Sequence, residues 1–133
     1  MSTKTAWPKT PPQLSPEQKI AREKFMLLWH QVMPKKYLSF ERFNHTFLQK
    51  LFNPKNCRTL EIGAGIGGHL KYENFTTQDY HCIEYREEFC AELRKLLPAE
   101  KIICGDIQKP QAWPDRSFDR VIAIHVLEHL VDL

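Results

Sequence analysis

The sequence has no apolar run long enough to span a bilayer, and its N-terminus carries no apolar signal-like stretch. Neither a membrane span nor export is therefore supported, and the expected location is the cytoplasm. No basic stripe with spaced aromatics is present. The formal charge is only +3, with acidic and basic residues interleaved, so nucleic-acid binding is not expected. No internal repeat appears. The four cysteines, Cys57, Cys82, Cys90 and Cys104, contain no C-x-x-C pair. A structural zinc site or a disulfide framework would need closer or denser cysteines. The expectation is free thiols, buried or half-buried, in a reducing compartment, and no bound metal.

What is present fits a globular chain. Its 133 residues are 42% hydrophobic and 26% charged, enough for one domain with a modest core. Residues 1–14 mix proline with Lys, Thr and Ser and offer little to bury, so they read as a flexible tail. Ser15-Pro16-Glu17-Gln18 then supplies an N-cap hydroxyl, a first-turn proline and a capping-box glutamine. Ala21, Phe25, Leu28 and Val32 follow at helical spacing, and Pro34 is expected to end that helix. A second stripe, Phe40, Phe43, Phe47 and Leu51, runs to Pro54. Residues 15–54 thus form a two-helix segment.

Beyond Pro54 the periodicity changes to short apolar runs alternating with helix-like stretches. Thr59–Gly63, His81–Tyr85, Lys101–Cys104 and Arg120–His125 read as strands. Gly67–Tyr72 reads as the opening of a short helix, and Glu87–Leu97 as a helix stopped by Pro98. Strands separated by helices imply βαβ units and a parallel sheet, an α/β domain over residues 55–133.

The chemistry sits at the strand ends. The first strand runs into Glu61-Ile-Gly-Ala-Gly-Ile-Gly67, a glycine-rich turn that lets backbone N–H groups approach a ligand. Glu84 lies 21 residues after Gly63, at the end of the second strand, where a carboxylate can accept from the two hydroxyls of a ribose. An adenosine-containing cofactor is the implied ligand. Gly63-x-Gly65-x-x-Gly68 also satisfies the dinucleotide fingerprint, so an NAD(P)-dependent oxidoreductase is the rival reading. Against it, Glu61 would repel a pyrophosphate, and it suits a ligand bearing an ammonium group. Gly105-Asp106-Ile107 follows the third strand, where Asp106 could accept from an adenine amino group.

Together these segments resemble class I S-adenosylmethionine (SAM)-dependent methyltransferases. Glu61–Gly67 is similar to their glycine motif, Glu84 to their ribose-binding acid, and Gly105-Asp106-Ile107 to their adenine-contact segment. Residues 113–130, Trp-Pro-Asp-Arg-Ser-Phe-Asp and the strand after it, resemble the subgroup with ubiquinone/menaquinone-type and other small-molecule enzymes. The resemblance implies a Rossmann-like three-layer sandwich with an N-terminal helical cap, SAM as cofactor and a small-molecule methyl acceptor. It assigns the methionine moiety to Glu61 and the turn Gly63, Ala64, Gly65 and Gly67. It assigns the ribose to Glu84 with Tyr85 beside it, and adenine to Asp106 and Ile107. His125 would line the pocket near the sulfonium and is the candidate base, needed only if the acceptor must lose a proton.

Other features carry less. His125-Val-Leu-Glu128-His129 spells H-x-x-E-H, a pattern of inverted zinc peptidases. That pattern needs both histidines on one helix, whereas His125 ends a predicted strand. His69 either touches the cofactor carboxylate or is a solvated first-turn residue, and Trp113 is expected to pack the loop before strand four. The family sheet has seven strands ordered 3-2-1-4-5-7-6, of which this sequence supplies four. Truncation after strand four is expected to leave an apolar edge prone to self-association, and a piece that binds SAM with little turnover. A non-catalytic SAM-binding module is the third reading.

Overall fold

Ser15 opens the first helix with the reciprocal bonds of a capping box. The Gln18 N–H donates to Ser15 Oγ at 3.3 Å, and the Ser15 N–H donates to Gln18 Oε1 at 2.9 Å. The computed structural model describes residues 13–51, 55–74 and 77–130, so most of the expected tail, Pro54 and Leu133 lie outside the described residues. Helix α1 spans Pro16–Lys36 and runs two residues past Pro34. A proline forfeits its own N–H bond but leaves those of the next residues available, so the last turn still closes. Helix α2 spans Leu38–Leu51. Among the described residues, no helix is long and apolar enough to cross a membrane.

The chain divides into two compact units, one reaching Asn44 and the other spanning His45–Leu130, with α2 crossing the boundary. In the first unit the expected apolar stripe is largely exposed among the described residues. Phe25 is 55% exposed, and Leu28 and Val32 are similarly open. Phe25 and Trp29 stack obliquely, ring centroids 5.8 Å apart.

The second unit is a four-stranded parallel sheet. Its strands are β1 (Cys57–Ile62), β2 (Gln78–Glu84), β3 (Ile102–Cys104) and β4 (Arg120–Ala123), in the order β3-β2-β1-β4. That is the 3-2-1-4 order that the family resemblance implies. Helix α3 (Glu87–Leu93) crosses between β2 and β3. Leu93, Cys90 and Cys82 are fully buried and pack with Leu70, Tyr80, Ile102 and Ile122 into one core. Burial of a leucine such as Leu93 contributes roughly 2 kcal/mol.

Several boundaries differ from the expectation. β1 stops at Ile62 because Gly63 has φ +66°, outside the strand region. β4 stops at Ala123, short of His125, whose own φ is +55°. α3 ends at Leu93, four residues early. The chain then tightens to i→i+3 bonds such as Leu96 N–H to Leu93 O at 2.9 Å, as it approaches Pro98. β4 alternates in burial along its length. Arg120 and Ile122 are buried on one face, and Val121 is 56% exposed on the other.

Gly63 is fixed twice over. Besides its φ, a Cβ there would lie 2.5 Å from Val126 Cγ2. Gly63→Ala should therefore destabilise the protein by about 2–4 kcal/mol, combining left-handed strain with overpacking. Urea unfolding of Gly63→Ala, Val126→Ala and the double variant tests this. The double variant should be more stable than the sum of the single losses predicts. Strict additivity would remove Val126 from the explanation.

Candidate functional site

Sheet order reverses at β1: the chain moves through β2 and β3 on one side, then returns to β4 on the other. Open α/β sheets take ligands at the carboxyl ends of the strands beside such a switch. The glycine turn sits there. The Gly63 N–H continues the ladder to Ile83 O at 2.8 Å, and Gly63, Gly65 and Gly67 all have positive φ. The helix expected to open at Gly67 does not form. Turns run to His69, and Leu70–Tyr72 make a single 3-10 turn. Gly67, at φ +85°, cannot begin a helix, so the free N–H groups here belong to the turn.

Glu84 ends β2 and is buried. Its Oε2 accepts from the Gly65 N–H and its Oε1 from the Arg86 N–H, each at 2.9 Å. The carboxylate is thus aimed by two backbone donors, and each oxygen keeps acceptor capacity for a further hydroxyl. Tyr85, the next residue, is 73% exposed. The Gly105 N–H donates to Glu84 O at 2.8 Å and so brings Asp106 and half-buried Ile107 to the same end of the sheet. Asp106 is engaged locally: its Oδ1 accepts from the Gln108 N–H at 3.0 Å. His125 is partly exposed, with Nδ1 3.6 Å from Glu128 Oε1. Val126, packed against Gly63, holds this loop against the glycine turn. His129 sits on a separate 3-10 turn, Leu127–His129. Trp113 packs edge-on to Phe118 at 5.0 Å in the loop before β4, as expected.

The least anticipated feature is a polar network on one face of the sheet. Thr59 and Glu61 of β1, Tyr80 of β2 and Arg120 of β4 are all buried. Parallel register sets Thr59 level with both Tyr80 and Arg120. Tyr80 Oη donates to Glu61 Oε2 at 2.9 Å. Arg120 donates through Nε to Thr59 Oγ1 at 3.2 Å and through Nη2 to Glu73 Oε2 at 2.7 Å. Gln78 also donates to Glu73, at 2.7 Å. His69, expected at the cofactor or in solvent, is 1% exposed and lies 2.8 Å from Glu73 Oε1 through Nε2. Its Nδ1 lies 3.0 Å from His45 Nδ1, so one of the two nitrogens carries the shared hydrogen.

The two acids of this network are driven apart. Burial works against ionisation of Glu73, but bonds from His69, Arg120 and Gln78 overcome it and hold its carboxyl down at about 2. Glu61 lacks that many donors. Burial raises it to about 7, against the opposing pull of His69, Tyr80 and Arg120. Sequence reasoning singled out Glu61 but missed Tyr80, Glu73 and Arg120. The spacing of charged residues gives no sign that they meet across three elements.

A parallel 3-2-1-4 sheet with a glycine turn after β1 and an acid closing β2 defines a Rossmann-like methyltransferase architecture. Residues 60–133 match the family model described as "Methyltransferase domain", and the chain belongs to that family. Among solved structures it is similar to the PH0226 protein of Pyrococcus horikoshii OT3, at 20% identity and TM-score 0.54. That match covers 70% of this chain and 48% of the other. It is also similar to a S-adenosylmethionine-dependent methyltransferase of Clostridium acetobutylicum ATCC 824, at 14% identity and TM-score 0.53, covering 77% and 43%. The chain thus spans less than half the length of these neighbours, which share its fold. No curated protein matches it.

The raised Glu61 has a signed consequence for stability. A carboxyl whose folded pKa exceeds its unfolded value binds its proton more tightly when folded. Stability from this group is therefore full below about 4.5 and lost as pH rises through about 7. Glu61→Gln keeps an oxygen for Tyr80 and removes the titration. Chemical unfolding at pH 5 and pH 8 should show the wild type losing on the order of a few kcal/mol more than Glu61→Gln between the two. Equal losses would show that Glu61 is not the titrating group.

Proposed function

We propose that this chain is the cofactor-binding portion of a SAM-dependent methyltransferase acting on a small-molecule acceptor. The observation that carries the reading is the Glu84 carboxylate, aimed at the end of β2 by the Gly65 and Arg86 N–H groups with lone pairs to spare. Such a group suits the vicinal hydroxyls of a ribose. The donor set fits the remainder of SAM. Glu61, buried beneath the turn and held near neutrality, gains an ionic partner if an ammonium group approaches. The turn Gly63, Ala64, Gly65 and Gly67 would border the methionine part, Tyr85 the adenosine, and Asp106 with Ile107 the adenine. Bound SAM supplies a methyl group already activated by its sulfonium.

The protein's own part is chiefly alignment, which can lower such a barrier by several kcal/mol. Where the acceptor must lose a proton, His125 is the base we assign, with Glu128 near its Nδ1 to steady the charged form. Residues 15–54 we read as the helical cap of the enzyme. The exposed Val121 of β4 supports association of copies of this chain. Four free cysteines, Cys57, Cys82, Cys90 and Cys104, support a cytoplasmic setting.

Calorimetry with SAM and with NAD on the full chain tests the assignment. SAM should bind, and Glu84→Gln should weaken it about tenfold or more, the loss of one charge-assisted bond, with an unchanged circular-dichroism spectrum. Binding of NAD and not SAM would overturn the reading. A second measurement addresses Glu61. If an ammonium group draws Glu61 into its ionised form, SAM binding near pH 7 releases a proton. The binding heat should then vary with the buffer's ionisation enthalpy in the wild type and not in Glu61→Gln. Buffer-independent heats in the wild type would separate Glu61 from the ammonium.

A further inference from the structure

Three further groups meet behind the carboxyl ends of β2 and β3. Glu87 and Cys90 stand three residues apart on α3 and so share a helix face. Cys104 is the last residue of β3. The two Sγ atoms and a Glu87 carboxylate oxygen all lie within 4.8 Å of one another. Cys90 is fully buried, Cys104 half-buried and Glu87 exposed, so the cluster is walled on one side and open to water on the other.

We propose that Cys90, Cys104 and Glu87 form a binding site for one thiophilic divalent cation, Zn²⁺ being the physiological fit, with water as the fourth ligand. The chemistry of the donors favours it: two sulfurs and a carboxylate are a tetrahedral zinc set with one open position. Zinc bonds of about 2.3 Å to sulfur and about 2.0–2.2 Å to oxygen place tetrahedral donors roughly 3.3–3.8 Å apart. From separations within 4.8 Å the cluster needs to contract by about 1.5 Å at most, within reach of side-chain rotation.

Charge is also met. Two thiolates and one carboxylate leave the bound ion with one net negative charge, and Arg94 Nη1 stands 2.5 Å from Glu87 Oε1 to offset it. Binding would break the Cys90 Sγ–H bond to Glu84 O at 3.4 Å. It would not orphan that carbonyl, which still accepts from the Gly105 N–H at 2.8 Å. Without an ion both thiols carry their protons, as ordinary cysteines do near neutral pH. Each cation bound therefore displaces two thiol protons to solvent, and affinity rises with pH. The donors come from regular elements, which hold them in place better than loops would.

Cobalt(II) is the probe, since its bonds to thiolate give an intense near-ultraviolet charge-transfer band. Added to the reduced full chain, Co²⁺ should produce that band with an end point at one equivalent, and Zn²⁺ should bleach it. Cys104→Ser should lose the band, Glu87→Gln should bind more weakly, and Cys57→Ser should leave it intact, each with a wild-type circular-dichroism spectrum. No band on the folded, reduced protein would overturn the proposal, as would a band that survives in Cys104→Ser. Formation of a Cys90–Cys104 disulfide in air with no cobalt uptake would also overturn it, marking a redox pair instead. None of these outcomes depends on whether the chain binds SAM.

Discussion

The bond from the Gly65 N–H to Glu84 Oε2 is the constraint on which the candidate site depends. It joins the turn after β1 to the end of β2, two places 19 residues apart in the chain. A buried carboxylate is costly unless its oxygens are bonded, and here two backbone donors meet that need. The donor belongs to a turn residue with φ +57°, a backbone angle that glycine adopts at little cost. Conformation, burial and ligand chemistry are thus coupled at one carboxylate. The Gly105 N–H bond to Glu84 O extends the coupling to β3, and Val126 against Gly63 extends it to β4.

Beneath that turn lies the network of Thr59, Glu61, Tyr80, Glu73, His69 and Arg120. Its energetic logic is that of a buried ion pair. Arg120 and Glu73 justify each other, and removing one partner would strand the other at a cost of about 3–5 kcal/mol. Glu61 stands apart because its partners do not fully compensate its burial, which raises it to about 7 and leaves it only partly ionised near neutrality. A group in that state responds to a cation brought close to it.

Much of the fold was legible because strand and helix periods leave local marks. The capping box at Ser15, the glycine turn and the four parallel strands follow from patterns a few residues long, and the strand order from the family resemblance. Errors fell where a single backbone angle or a distant neighbour decided. His125 was read into β4 because Ile124 and Val126 flank it with apolar residues, and its positive φ has no sequence signature. Gly67 was read as a helix opening, although its φ forbids one. His69 was placed at the ligand or in water because its two partners, His45 and Glu73, come from opposite sides of it in the chain. Cys90 and Cys104, expected as free thiols buried or half-buried, are so, and only the fold sets them beside Glu87.

The sequence by itself determined the α/β class, the placement of Glu61, Glu84 and Asp106 at strand ends, and the family to which the chain belongs. Those properties depend on periodicity and on short spacings, which survive without knowledge of partners. The tertiary structure alone decided that Glu84 is held by Gly65, that Glu61 is buried with Tyr80, and that Glu87, Cys90 and Cys104 share a corner. The physical reason is register. In a parallel sheet every neighbour of a strand arrives through a long crossover, so which side chains meet is set by how elements align, and adjacency in the chain does not reveal it.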